Sequence, residues 1–435
     1  MLAAWHVFGP PRGAPGRPAA GEVMAFGRSI ILSSVLAALA LLGPDAAGGP
    51  ASAEPVLERV VLVQRHGVRA PTQSPETLAQ WSARGWPQWP VPRGHLTDQG
   101  AQVVALIADG VRTHYVRTAL LPAQGCPGTG LMVWADGKDE RTRRSGQEMA
   151  THLAPGCALE ARSGPHGSRD PLFDSAGGSC TLDPQEGAAA LRAALGPGGD
   201  LVDPASQRAI GPLFTILRPG APVPLPENGF AVQPEKIVLT GPLAIAAAAG
   251  EIFLLEYAQG LPPAQVAWGA ASDPAQLLPL LAPRNRLSDL VRSLPYVAVR
   301  QGAGMARLML ATLAGEPHAA APAVSADVKL LALAGHDDNL SNMAGVFGVD
   351  WSLPGQPDAT APATVFALER WRDPATGVVT VALRLFYAEL EGMRRLDPAS
   401  VKTLPVALPG CEGGTCPLEP LRARVLAALP PACGQ

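Results

Sequence analysis

Two stretches of the chain are nearly continuously apolar with almost no polar alternation, the β-branched-rich Val56 to Gln64 and Val328 to Ala334. A strand buried on both faces of a parallel sheet reads that way, whereas a strand with one wet face alternates. The first run ends directly on Arg65-His66-Gly67 and the second on Gly335-His336-Asp337. A shorter run, Gly130 to Ala135, ends on Asp136, and the pattern beyond it predicts a helix through Arg143, Gln147, Met149 and His152. Ligands of open α/β sheets bind outside the carboxyl ends of the strands, so these polar strand ends are expected to converge.

From about Cys180 to Asp289 the texture changes to Ala, Leu, Pro and Gln, and Leu243 to Tyr257 follows Thr240-Gly241-Pro242, a good helix start. This region predicts a smaller α-helical domain, 181–290, inserted between the two parts of an α/β domain, 54–180 and 291–435. Near the C-terminus Thr364 to Trp371 and Val378 to Tyr387 read as two strands of a hairpin turning through Asp373 to Gly377. There is no internal repeat and no Walker A, GxGxxG or GxSxG pattern, so nucleotide-cradling and α/β-hydrolase chemistry lack their signatures.

Composition narrows the picture. The chain has 435 residues, 47% hydrophobic and 16% charged, enough to bury a large interior. A net charge of -3 gives no reason to expect nucleic acid or an anionic membrane as partner. Residues 1–53 read as an upstream extension followed by a leader: Met24, positive charge at Arg28, an apolar run from Ile30 to Leu42, and a small-x-small cleavage site at Ala51-Ser52-Ala53. The run is shorter than the roughly 18 residues needed to span hydrocarbon, so a periplasmic or secreted protein, free of the membrane after cleavage, is expected. Six cysteines, Cys126, Cys157, Cys180, Cys411, Cys416 and Cys433, fit three disulfides in such a compartment, with fifteen connectivities open. A zinc site is the rival reading, but no Cys-x-x-Cys pair is present.

The chemistry sits in three motifs. In Arg65 to Thr72, two arginines flank one histidine in a turn that contains Gly67 and Pro71. Guanidinium forks match phosphate oxygens and stay charged at any relevant pH. They also disfavour a further positive charge, which keeps His66 neutral and nucleophilic. Gly335 to Asn339 supplies His336, suited to binding phosphate charge, and Asp337, suited to protonating a leaving alkoxide, which implies activity at low pH. Arg141, in the Asp139 to Arg143 charge run, joins them if its strand shares the crevice.

Together these motifs, with Trp86 to Val91, Leu239 to Pro242, Glu251 to Gly260 and Trp351 to Asp358, resemble the histidine acid phosphatases of the bacterial periplasmic phytase and glucose-1-phosphatase type, over roughly Glu54 to Cys433. The resemblance implies a central mixed sheet with helices on both faces plus the helical insert, and no cofactor or metal. It implies His66 as nucleophile and Asp337 as proton donor. Arg65, Arg69, Arg141 and His336 would hold phosphate, and Thr72, Glu251 and Arg300 would contact substrate. It also implies disulfides Cys126–Cys157, Cys180–Cys433 and Cys411–Cys416. Asp338 departs from the family's Thr or Ser and is expected to raise the donor's affinity for protons. Ala248 stands where relatives carry a bulkier residue. The expected partner is a small phosphate monoester, phytate or a sugar phosphate, and the oligomeric state is left open with a monomer as the expectation. The competing readings are an inositol-phosphate-binding protein without turnover and a phosphoglycerate-mutase-like phosphotransferase.

Overall fold

The computed structural model describes residues 54–174, 180–220 and 227–433; the expected leader and extension lie outside them. The two apolar runs form β1 (Val56–Arg65) and, much later in the chain, β6 (Leu330–Gly335); between them come β2 (Leu131–Ala135), the short β3 (Arg162–Ser163) and a separate hairpin of β4 (Gly229–Val232) and β5 (Ile237–Thr240). The C-terminal part adds β7 (Val365–Arg372), β8 (Val379–Ala388), β9 (Val401–Val406) and β10 (Thr415–Pro417). The main sheet runs in the order β10-β8-β7-β1-β6-β2-β3, with β9 also paired to β8.

This sheet is mixed. β1, β6, β2 and β3 are mutually parallel, and β7 joins β1 antiparallel and turns back as the expected hairpin into β8. All the side chains of β6 are buried, as the unbroken apolar run requires, because helices cover both faces at the centre. The register decides where function falls: Arg65 pairs with Gly335, and Ala135 with Ala334, so the chain leaves all three central strands at one level.

The helices Pro184–Leu195, Pro204–Leu217, Pro242–Ala258 and Ala282–Val291 make the helical insert. Pro242–Ala258 is apolar nearly all round and correspondingly buried, with Phe253, Leu254 and Leu255 inaccessible to solvent. Three disulfides, Cys126–Cys157, Cys180–Cys433 and Cys411–Cys416, carry the pairing implied by the resemblance, and the second ties the beginning of the insert to the end of the chain. Among the described residues no helix is long and apolar enough to cross a membrane.

Glu256, on the buried helix, is 1% exposed. Its Oε2 accepts the Ala267 N–H at 2.8 Å, supporting a turn in which Ala267 has a positive φ of 49°, while Oε1 is buried without a partner among the described residues. Burial pushes this carboxyl up to about 8 from 4.5, against the Ala267 hydrogen bond. The folded protein therefore holds a proton that the unfolded chain releases between those values, and this group's contribution to stability falls as pH rises across that window. Glu256→Gln keeps the shape and the acceptor without the charge, so its melting temperature at pH 7 is expected to exceed that of the wild type. At pH 4 the two should converge; parallel curves across the range would show that Glu256 does not titrate this way.

Candidate active site

The strand ends are locked together before any side chain is considered. His66 donates its N–H to Gly335 O at 2.8 Å, Ala363 donates to His66 O at 3.0 Å, and Asp136 donates to Ala334 O at 3.0 Å. After His66 the chain lies flush on the start of the helix Asp98–Arg117: a Cβ at Gly67 would sit 2.2 Å from Gly100 O. Only glycine permits that approach. On the neighbouring strand His336 caps the helix Asp337–Phe347, its N–H donating to Asn339 Oδ1 at 2.8 Å. That carboxamide fills the space beside Gly335, where a Cβ would meet Asn339 Oδ1 at 2.4 Å.

His66 lines a cavity of about 280 Å³ together with Arg69, Thr72, Arg141, His336 and Asp337. Its Nδ1 is 2.8 Å from Gly67 O, and a carbonyl only accepts, so Nδ1 carries the hydrogen and Nε2 keeps its lone pair. The imidazole is 1% exposed. Burial, then the charges of Arg141, Arg65 and Arg69, hold its pKa well below the ordinary histidine value, so the ring stays neutral in acid. Its neighbour is His336, with ring centroids 5.6 Å apart and edge to face.

Three guanidiniums surround this ring. Arg65 is fully buried; its Nη1 donates to Asp358 at 2.8 Å and to Thr360 O, and its Nη2 to Glu251 at 2.6 Å. Arg69 reaches the same Glu251 oxygen at 3.2 Å. Arg141, in the first turn of the helix Glu140–Leu153, donates to Asp139 at 2.9 Å and to Gly94 O at 3.3 Å. The Nε groups of all three are buried and have no hydrogen-bond partner among the described residues. Buried charged donors in that condition are costly unless an acceptor arrives.

Carboxylates balance the cluster. Glu251, expected to contact substrate, lines the cavity and is also the counter-ion of Arg65, Arg69 and Arg284; burial opposes its charge, but those arginines keep its pKa below the usual value. Asp358 accepts from Arg65 and Arg284 and, despite burial, is drawn down to about 2. His336 Nε2 donates to Asp136 Oδ2 at 2.8 Å, and its Nδ1 lies 3.5 Å from Arg141 Nη2. Asp136, Asp139 and His336 bring ligand-type atoms within 4.8 Å of one another, and their bonds to each other and to Arg141 account for that closeness. The two carboxylates orient the His336 imidazole.

Asp337 opens the helix behind His336 and faces the cavity. Its Oδ2 accepts from Arg284 at 2.7 Å and from Arg292 at 2.6 Å. Burial alone would raise this carboxyl, yet Arg292, Arg65 and Arg284 hold it well below the ordinary carboxylate range. Asp338, next in the chain, lies 2.5 Å from Arg292 Nε, and the net field on Asp337 is set by the guanidiniums.

Thr72 lines the cavity, and Ala244, Ala247 and Ala248 floor it from the helical insert, leaving room where larger side chains would intrude. Arg300 does not belong to the site. Its guanidinium stacks on Tyr296, 3.7 Å from the ring centroid, and lies 3.3 Å from Glu186, so the arginine that reaches the cavity from this segment is Arg292, eight positions earlier. Arg284, Arg292, Asp136 and Asp358 are the residues that sequence reasoning did not assign.

With this geometry in view, comparison with known proteins is direct. The model of the histidine phosphatase superfamily, branch 2, matches residues 56–197. The phytase AppA of Escherichia coli K12 is 32% identical, over 93% of this chain and 99% of its own. A glucose-1-phosphatase of Salmonella typhimurium is 24% identical, over 83% and 90%. Among solved structures, the Hafnia alvei phytase in complex with tartrate superimposes with a TM-score of 0.80 at 32% identity, covering 88% of this chain and 99% of that one. The Klebsiella sp. ASR1 phytase does so with 0.75 at 25% identity, covering 87% and 98%.

Proposed function

Because the chain belongs to the histidine phosphatase superfamily, branch 2, as a phytase-like acid phosphatase, we propose that it hydrolyses phosphate monoesters through a phosphohistidine on His66, with Asp337 as proton donor. The observation that carries this reading is the pair of guanidinium donors, Arg69 and Arg141, lining one cavity with a neutral imidazole, with the charge of the fully buried Arg65 beside them. Such donors favour an oxyanion, and a phosphoryl group places three of them beside the nucleophile.

In the first step the Nε2 lone pair of His66 forms the P–N bond as the P–O bond to the alcohol breaks, and protonated Asp337 gives its proton to the departing oxygen. The three arginines and His336 bind the nonbridging oxygens, whose charge they stabilise most where it is spread in the transition state. In the second step the Asp337 carboxylate takes a proton from water as that water attacks phosphorus. The P–N bond breaks, inorganic phosphate leaves, and neutral His66 and protonated Asp337 are restored. Splitting one displacement into two lets a single imidazole serve as nucleophile and leaving group.

The names of the relatives, phytase and glucose-1-phosphatase, support phytate or a sugar phosphate as substrate. Three disulfides support a compartment outside the cytosol, periplasmic or secreted. The mechanism is tested by mixing enzyme with an ester labelled in phosphorus and denaturing in alkali within one turnover. Label should remain on the His66 peptide; a label-free peptide under conditions where the alcohol has already been released would overturn covalent catalysis.

A further inference from the structure

Resting on the reading of Asp337 as proton donor, we propose that Arg292 is a positioning residue that clamps this donor in the empty site and lets it go when a substrate phosphate arrives, with Asp338 setting the strength of the clamp. Arg292 is the residue just past the helix Ala282–Val291. Its Nη1 donates to Asp337 Oδ2 at 2.6 Å and to Ser288 Oγ at 3.3 Å, and its Nε lies 2.5 Å from Asp338 Oδ1. One side chain thus bridges two consecutive carboxylates, one the donor and the other at the rim of the same cavity.

The charged groups facing Asp337 come from four elements. Arg65 and Arg69 approach from the end of β1, Glu251 from the helix Pro242–Ala258, Arg284 and Arg292 from the helix Ala282–Val291 and its end, and Asp338 from Asp337's own helix. Arg284 also holds Asp337, but it is committed to Asp358 and Glu251 as well and its side chain is 5% exposed. Arg292 is 20% exposed, and its second partner, Asp338, is 53% exposed. Of the two guanidiniums on the donor, Arg292 is therefore the one able to turn toward an incoming anion.

A carboxyl that takes up a proton weakens both charge-assisted bonds to Oδ2, so the clamp opposes protonation. A phosphate held by Arg65, Arg69 and Arg141 adds negative charge opposite Asp337 and offers Arg292 another acceptor. Both effects favour the proton on Asp337, so the acid is loaded in the complex and not before. The Asp338 carboxylate, absent from the family pattern, draws part of the Arg292 charge away from Asp337.

The test is a set of pH–rate profiles on an alkyl and an aryl phosphate, for which kcat/KM reports the free enzyme and kcat the complex. With the alkyl ester, Arg292→Gln should move the alkaline limb of kcat/KM upward by about half a pH unit or more, and the limb of kcat less. Asp338→Asn should move the kcat/KM limb the other way, since it leaves Arg292 to Asp337 alone. The aryl ester, whose departing oxygen needs little protonation, controls for ionisation of the substrate phosphate and should show neither shift. An unmoved limb in both variants, or shifts in the same direction, overturns the clamp; because Asp338 is at the rim, its variant decides even if Arg292→Gln folds poorly. Failure of the donor reading itself has a different signature: Asp337→Asn then loses equally on both esters.

Discussion

His66→Ala should lower turnover of phosphate monoesters on the order of 10⁴-fold or more while the protein still unfolds cooperatively. The imidazole is the group whose Nε2 lone pair is free, because Nδ1 is committed to Gly67 O, and its neutrality is maintained by burial and by Arg141, Arg65 and Arg69. Alanine removes this nucleophile but leaves the guanidiniums and their counter-ions Glu251, Asp358 and Asp139 in place. The variant should consequently still bind inorganic phosphate, seen as a rise in melting temperature on adding phosphate. Retention of a tenth of wild-type turnover would remove His66 from the nucleophile's role. Loss of phosphate binding together with turnover would instead mean that the imidazole holds the cradle together, and the comparison of the two readouts separates these cases.

Much of this site was legible because the informative residues follow buried strands directly. The runs before His66, Asp136 and His336 are apolar without alternation, so each had to be a central strand, and central parallel strands release the chain on one side of a sheet. What the sequence did not disclose lies on the helical insert and the loop before β7. Arg284 and Arg292 reach the cavity only through packing of the helix Ala282–Val291 against Pro242–Ala258, and Asp358, in the loop before β7, is buried behind it on Arg65 and Arg284, tertiary facts with no local pattern. Arg300 was carried over from the resemblance, whereas the end of that helix brings Arg292 to the cavity and Arg300 lies on Tyr296 and Glu186. Glu251 was expected over the cavity from the helical insert and does line it, but its pairing with Arg65 and Arg69 is again a tertiary fact that no local pattern announces. That the sheet is mixed came from the resemblance, and that β7 is the antiparallel neighbour of β1 from the structure alone, because burial on both faces says nothing of a neighbour's direction.

Asp337→Asn should separate substrates by their leaving groups. Asparagine keeps the shape and an acceptor oxygen for Arg284 and Arg292, which now meet Asp337 at 2.7 and 2.6 Å, but has no proton to give. An alkoxide leaves poorly without one, so turnover of an alkyl phosphate or phytate should fall by about 10² to 10³, the usual worth of a positioned general acid. An aryl phosphate such as p-nitrophenyl phosphate departs as a stabilised phenolate and should lose less than about tenfold in the same step. The arginines also bear on the result, because they hold the free carboxyl well below its ordinary range. In the wild type the proton must be taken up against them, so activity on alkyl esters should fall on raising the pH, with the limb of kcat above that of kcat/KM since bound phosphate offsets the guanidinium charge. In Asp337→Asn that limb should vanish along with the leaving-group preference. If the variant loses equally on both esters and keeps the wild-type pH profile, the proton comes from elsewhere, and Asp337 is a counter-ion of Arg284 and Arg292 and nothing more.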